Sequence, residues 1–222
     1  MTQSTRFSLV VLVALVGLLA TGCASAPQSV PTPTPAATAG ASTGATAPAD
    51  DLALTDPAIG PTTAPVIIQE YGDYSCPACA VWEAHGVRKQ LLDKYGDKLR
   101  FVWHDYAVLS PQSRPSSLAA RCAGDQGKYW QYHDVLYAHY PALENSDLKG
   151  YAADMGLDTA SFNQCLDAQT HFDRLGLGLA DGMNYGIFAT PAFRVNGKLI
   201  QGGQSFEYFS SVIDSMLAGS QS

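Results

Sequence analysis

The chain has 222 residues, 46% of them hydrophobic and 15% charged, an ordinary globular composition with enough apolar side chain for one domain with a sizeable core. Its formal net charge of −7 and isoelectric point near 5.0 exclude the clustered Lys and Arg of a nucleic-acid surface. The five cysteines are more informative, and their meaning depends on the compartment in which the chain works.

Residues 1–22 read as an export signal. Met1 to Arg6 is short, polar and carries one positive charge, and Phe7 to Ala20 runs almost unbroken through Val, Leu and Ala. About 14 apolar residues suit the hydrophobic region of a signal peptide and are too few to span a bilayer comfortably. Ala20-Thr21-Gly22-Cys23 then leads small residues into a cysteine. This resembles a bacterial lipobox, where cleavage precedes the cysteine and lipid is attached to its thiol. Lipoboxes usually place Leu or another branched aliphatic where Ala20 stands, and the alternative is a plain secretory cleavage near Ala24-Ser25-Ala26. On either reading the domain is extracytoplasmic, in a space where disulfides persist. With Cys23 lipidated it is a membrane-anchored lipoprotein of a bacterial envelope.

Residues 23–50 form the expected lipidated cysteine and linker. Ala24 to Ala49 carries no charge and only Val30 as a large apolar residue. Such a segment buries too little surface to offset its ordering entropy. Its Pro-rich half should be extended and its Gly/Ser-rich half flexible, with a contour of about 80 Å at the polyproline rise.

The folded part is expected over residues 51–222, beginning near Leu52. Val66 to Tyr71 is apolar and β-branched, a buried strand. Gly72-Asp73-Tyr74-Ser75 breaks it, and Cys76 opens a helix with Pro77 in the first turn, where a missing N–H costs nothing. That helix is expected to run to about Tyr95 despite Gly86 in its middle. Leu99 to Tyr106 reads as a second buried strand. Helices follow over Pro115 to Gln126, Lys128 to His139, Asp147 to Met155, Ser161 to Ala168 and about Thr170 to Tyr185. Asn145-Ser146-Asp147 and Asp158-Thr159 supply N-caps, and Gly124, Gly127 and Gly156 punctuate. Ala192 to Val195 and Lys198 to Gln201 flank Asn196-Gly197, a strong hairpin signal. A helix capped by Ser205 closes the chain. The order is α/β: β-α-β, a helical block inserted at about residues 111–186, then β-β-α. The aromatics Trp82, Trp130, Tyr132, Tyr137 and Tyr140 read as core and interhelical packing. His104-Asp105 reads as a packed, hydrogen-bonded strand pair, since no nucleophile accompanies it.

Cys76-Pro77-Ala78-Cys79 is a C-x-x-C placed where a strand turns into a helix. A thiolate, not a thiol, attacks disulfides. The orphan N–H groups and dipole of a helix N-terminus favour negative sulfur at Cys76. Cys79, one turn deeper, is shielded, which makes Cys76 the nucleophile and Cys79 the resolving thiol. A zinc site would need two further ligands, and neither a second C-x-x-C nor a histidine at ligand spacing stands near the pair. No metal or cofactor is expected. If lipid consumes Cys23, an even set remains, with Cys122 and Cys165 as the distant pair.

Glu70 to Cys79 (EYGDYSCPAC), Gly127-Lys128-Tyr129-Trp130 and Thr190-Pro191-Ala192-Phe193 resemble the DsbA-like thiol–disulfide oxidoreductases of bacteria. The resemblance runs from about Val66 to the C-terminus. It implies a thioredoxin-like fold with an inserted helical domain. It implies that Thr190-Pro191 is the cis-proline dipeptide beside the C-x-x-C, leaving the Thr190 backbone to pair with an extended substrate. An ordinary trans proline before a strand is the alternative. Glu70 stands where the superfamily commonly keeps a buried acid whose raised pKa lets it move protons for Cys79; a strand-edge glutamate without a role is the alternative. Cys122 and Cys165 form a structural disulfide in relatives that carry them; two free buried thiols are the alternative. A 43-residue loop would contribute roughly 4 kcal/mol in the chain-entropy model.

The implied activity is oxidation of reduced exported proteins, with a membrane redox partner reoxidising the pair and no nucleic acid involved. A reductase or isomerase running on the same residues, or a non-catalytic thioredoxin-like binding module, are the alternatives. One departure matters here. The best-known oxidases of that family carry His within the x-x dipeptide, and Ala78 cannot stabilise a thiolate in that way.

Overall fold

The computed structural model describes residues 55–219; the export signal, Cys23 and the linker lie outside the described residues. Five strands form one sheet: β1 (Ala58–Ile59), β2 (Val66–Gly72), β3 (Leu99–Asp105), β4 (Ala192–Val195) and β5 (Lys198–Gln201). Their spatial order is β1-β3-β2-β4-β5. Strands β2 and β3 run parallel, with Val66 opposite Leu99 and Gly72 opposite Asp105. The β2–β4, β4–β5 and β1–β3 pairs are antiparallel. A parallel β2–β3 pair needs a crossover, and the residues between them supply it as helices.

Those helices carry the first correction. A single helix was expected from Cys76 to about Tyr95, whereas the chain forms α1 (Pro77–Ala84) and α2 (Val87–Tyr95). Gly86 between them adopts φ +66, a left-handed conformation that ends a helix rather than weakening it. Strand β1 was also unforeseen, since two residues carry no periodicity to read.

Between the sheet's two halves lie α3 (Ser113–Gly124), α4 (Tyr129–Ala138), α5 (Asn145–Asp154), α6 (Thr159–Asp167) and α7 (Phe172–Asn184), and α8 (Phe206–Gly219) closes the chain. Asp158 caps α6 through Ala160 N and Ser161 N, as its sequence position predicts. Helix α5 begins at Asn145, two residues before its expected start at Asp147, so its cap is Glu144 rather than Asn145-Ser146-Asp147, and the Asp147 carboxylate accepts from Glu144 N at 2.9 Å. The hairpin turns at Asn196 (φ +44) and Gly197 (φ +87), the left-handed pair that a two-residue connection requires.

Side chains alternate across β2, so the sheet has two distinct faces. Val66, Ile68, Leu99, Phe101, Phe193 and Val195 pack with Trp82 of α1, Leu91 of α2 and Phe209 and Ile213 of α8. Trp103 and Tyr74 meet the helical block, where Leu118, Tyr132, Leu136 and Phe162 form a second cluster. Helix α7 lies so close to β3 that a Cβ on Gly178 would fall 2.6 Å from Asp105 O. None of the helices among the described residues is long and apolar enough to cross a membrane.

Candidate active site

Strand β2 delivers the chain to the site, and Asp73 shapes the turn after it. The buried Asp73 carboxylate accepts from Ser75 N at 2.8 Å, and from Val108 N and Leu109 N at 2.9 and 3.0 Å. Its backbone oxygen accepts from Cys76 N at 2.9 Å. Sequence reasoning passed over Asp73 as a loop breaker. Its signal was present, since an Asp in a turn readily accepts from the N–H two residues on, here Ser75, as an Asx turn.

Cys76 is the N-cap of α1, with Pro77 in the first turn, and its sulfur accepts from Cys79 N at 3.4 Å. Both cysteines are free thiols. Cys76 keeps 3% of its surface exposed and Cys79 none, which leaves Cys76 the more accessible of the two. The Cys76 thiol is lowered to about 6, first by the hydrogen bond from the Cys79 thiol, against the opposing effect of partial burial, and then by Thr190 and the N–H groups of Cys79 and Ala78. Cys79 moves the other way: burial, its bond to Cys76 and the neighbouring Glu70 charge push it well above the ordinary thiol value.

The Thr190–Pro191 bond is cis, and the Cys76 thiol donates to Thr190 O at 3.2 Å. On ionisation the Thr190 hydroxyl is the alternative contact, and its Oγ1 has no other hydrogen-bond partner. Pro191 O accepts from Gly202 N at 2.9 Å, tying this loop to the end of β5.

Glu70 is fully buried on β2, and neither carboxyl oxygen has a hydrogen-bond partner. Burial pushes its pKa well above the ordinary range; Glu83 and Cys76 add to this and Arg88 opposes it. Glu83 in turn accepts from Arg88 Nε at 3.1 Å. Neither Glu83 nor Arg88 stood out in the sequence, because their effect on Glu70 arises only in three dimensions.

Beside Cys76, Pro77, Ala78, Val81, Trp82 and Phe206 line an open groove of about 750 Å³. Phe188, just before the cis-proline, is 86% exposed, and Val81 57%. The remaining expected pair, Cys122 and Cys165, lies apart in the helical block as a disulfide joining α3 to α6. His104 is buried away from any nucleophile, bonded to Asp56 and Gln69.

The profile of the family described as Thioredoxin matches residues 52–215. A thioredoxin-like oxidoreductase from Silicibacter pomeroyi is 25% identical and superposes with a TM-score of 0.68, covering 75% of this chain and 96% of that one. The thiol-disulfide exchange protein alpha-DsbA2 from Wolbachia pipientis shares the fold at 21% identity and a TM-score of 0.66, covering 73% and 88%. The Na(+)/H(+) antiporter NhaA 1 of Salinispora arenicola is 34% identical over 164 residues, 73% of this chain but 25% of the antiporter. The chain therefore spans about a quarter of the length of that curated relative.

Proposed function

The chain belongs to the thioredoxin family, and from that footing we propose that it is a DsbA-like thiol–disulfide oxidoreductase that introduces disulfides into exported proteins. One observation carries the reading: Cys76 caps a helix, is the more accessible sulfur, and touches the carbonyl that precedes a cis-proline, while Cys79 is wholly buried.

The cycle starts with the Cys76–Cys79 disulfide. A substrate thiolate attacks Cys76 Sγ; the S–S bond breaks and its electron pair leaves on Cys79, which takes a proton. Glu70, whose buried carboxyl holds its proton more tightly than an ordinary carboxylate and is electrostatically linked to Cys79, is the acid we assign to that proton. A second substrate thiolate then attacks the substrate sulfur of the mixed disulfide and expels Cys76. A thiolate of pKa about 6 leaves readily, because the leaving-group rate rises as thiol pKa falls. Two electrons pass from substrate to the pair, and a membrane redox partner removes them. The Thr190 backbone holds the substrate as an added strand, with the apolar groove and Phe188 beside it. Lipid on Cys23 tethers the enzyme to an envelope membrane on its extracytoplasmic side.

A reductase or isomerase reading has one observation in its favour. Ala78, 
unlike a histidine, offers the thiolate neither a charge nor a side-chain donor.

Cys79→Ala should trap mixed disulfides on Cys76 that vanish on adding reductant; a non-catalytic binding module would trap none. Measuring the reduction potential then separates the two directions. A value near thioredoxin's, about −270 mV, would count against the oxidase.

A further inference from the structure

The disulfide of the helical block has neighbours that a simple staple does not require. Cys122 lies near the end of α3, Cys165 on α6, and His171 immediately before α7. A donor atom from each lies within 4.8 Å of the other two. Asp125, just after α3, adds a carboxylate: its Oδ2 is 2.8 Å from His171 Nε2 and 3.6 Å from Cys165 Sγ. The turn that brings His171 to this point is unusual, because Gln169 adopts φ +52. That left-handed turn lets Thr170 N donate back to Cys165 O at 3.1 Å, folding the α6–α7 connection over the sulfur.

We infer that reduction of Cys122–Cys165 creates a second, separate site in this protein, which binds a zinc-type divalent cation through Cys122, Cys165, His171 and Asp125. Zn–S arms of about 2.3 Å and Zn–N or Zn–O arms of about 2.0–2.2 Å place tetrahedral donors about 3.3–3.8 Å apart. The two Cα atoms are 5.8 Å apart, so the thiols can part to that spacing by side-chain rotation. Two thiolates, an imidazole and a carboxylate form a donor set suited to zinc. The site opens to solvent, since the side chain of His171 is 23% exposed and that of Asp125 52%.

The chemistry balances with a dithiol as reductant. Two electrons and two protons pass from the dithiol to the sulfurs, the S–S bond breaks, and the reductant becomes a disulfide. The cation then displaces the two thiol protons and draws α3, α6 and the α6–α7 turn together, as the covalent bond did before. A disulfide oxidant takes the two electrons back and becomes a dithiol, the Cys122–Cys165 bond re-forms, and the cation is expelled. The junction is thus held in both redox states, by a bond in one and by a metal in the other, and this inference does not depend on the activity of Cys76.

The test uses the full chain carrying Cys23→Ser, Cys76→Ser and Cys79→Ser, so that Cys122 and Cys165 are its only thiols. Reduced anaerobically, freed of reductant and titrated with Zn²⁺ or Co²⁺, it should retain one metal per chain. Co²⁺ should give thiolate charge-transfer absorption and the intense visible bands of tetrahedral coordination. The oxidised chain should retain none. Adding His171→Ala should weaken binding about tenfold or more, and Asp125→Asn should weaken it less. Circular dichroism follows the fold: if reduction lowers the helical signal, Zn²⁺ should restore it. The inference is overturned if the reduced chain holds no more metal than the oxidised one, if His171→Ala leaves the affinity unchanged, or if a reduced, unfolded chain neither binds Zn²⁺ nor refolds with it.

Discussion

Two buried polar groups flank the same pair of central strands, and they are built on opposite plans. Near β1, Asp56 accepts from Arg121 Nη2 at 2.8 Å and also from Arg174, and lies 2.7 Å from His104 Nδ1. Arg121 Nε donates to Asp105 at 2.6 Å, and Asp105 also accepts from Trp103 Nε1 at 2.9 Å. Every carboxylate there has a partner. Near the thiols, Glu70 is equally buried and its oxygens have no hydrogen-bond partner. A fully paired buried network holds elements together, whereas a buried carboxyl without a partner keeps its proton and can give it up. The first group is architecture, joining β3, α3, α7 and the segment before β1. The second is chemistry in waiting.

That contrast can be broken by mutation. The largest effect is expected from Asp56→Ala, which strips the carboxylate from Arg121 and Arg174 inside the protein. Breaking a buried ion pair by removing one partner costs about 3–5 kcal/mol, to be read from urea unfolding, with the exchange rate of the folded protein unchanged. The pH dependence sharpens the point. Burial alone would raise the Asp56 carboxyl, but the His104 hydrogen bond and the Arg121 charge outweigh it and hold it at about 2. Its stabilisation is complete above the unfolded value of about 3.9 and is lost as pH falls through about 2. If Asp56→Ala leaves stability untouched, the first group is not a clasp.

Glu70 should behave in the opposite way. Its folded pKa is raised, so the folded state holds the extra proton, and stability falls as pH rises above the unfolded value of about 4.3. Glu70→Leu should therefore gain about 1–3 kcal/mol at neutral pH by removing an unsatisfied buried polar group, while slowing resolution of mixed disulfides at Cys79. Thermal unfolding at pH 5 and pH 8 checks the sign, because the gain should shrink at the lower pH. A destabilised Glu70→Leu protein would mean that the carboxyl is held by something other than what surrounds it here.

Alkylation of Cys76 gives smaller and more local effects. Its rate against pH should have a midpoint near 6, against about 8.5 for an ordinary cysteine. Thr190→Val should raise that midpoint by roughly half a pH unit by removing one donor to the thiolate. Glu70→Gln should shift it less, because the leading influences on Cys76 are Cys79, burial and Thr190 rather than Glu70.

The difference between these groups also explains what could be read in advance. Local signals placed most elements: the β-branched run of β2, the Asn196-Gly197 turn, the Asp158 cap and the proline after Cys76. The C-x-x-C at a strand-to-helix junction carried the site for the same reason, since the largest influence on Cys76 comes from Cys79, three residues on. Gly86 was visible, but a glycine within a helical pattern has two outcomes, and packing of α2 against α8 selects the broken one. The Asp56 group was illegible because its contacts span 65 residues to Arg121 and 118 to Arg174, and no spacing rule links such positions. Glu70 stood out by position alone. The absence of a hydrogen-bond partner, which gives it its character, is a property of the space around it.

The short outer strands have a consequence if, as proposed, the protein handles unfolded chains. An exposed sheet margin recruits extended polypeptide and seeds fibres. Here one margin is the two-residue β1 and the other the four-residue β5, which starts with a lysine. Neither offers a client enough backbone to be woven in and kept. The backbone at Thr190 stands beside the Cys76 sulfur instead, so in the proposed cycle a visiting chain that pairs there meets a reaction that releases it.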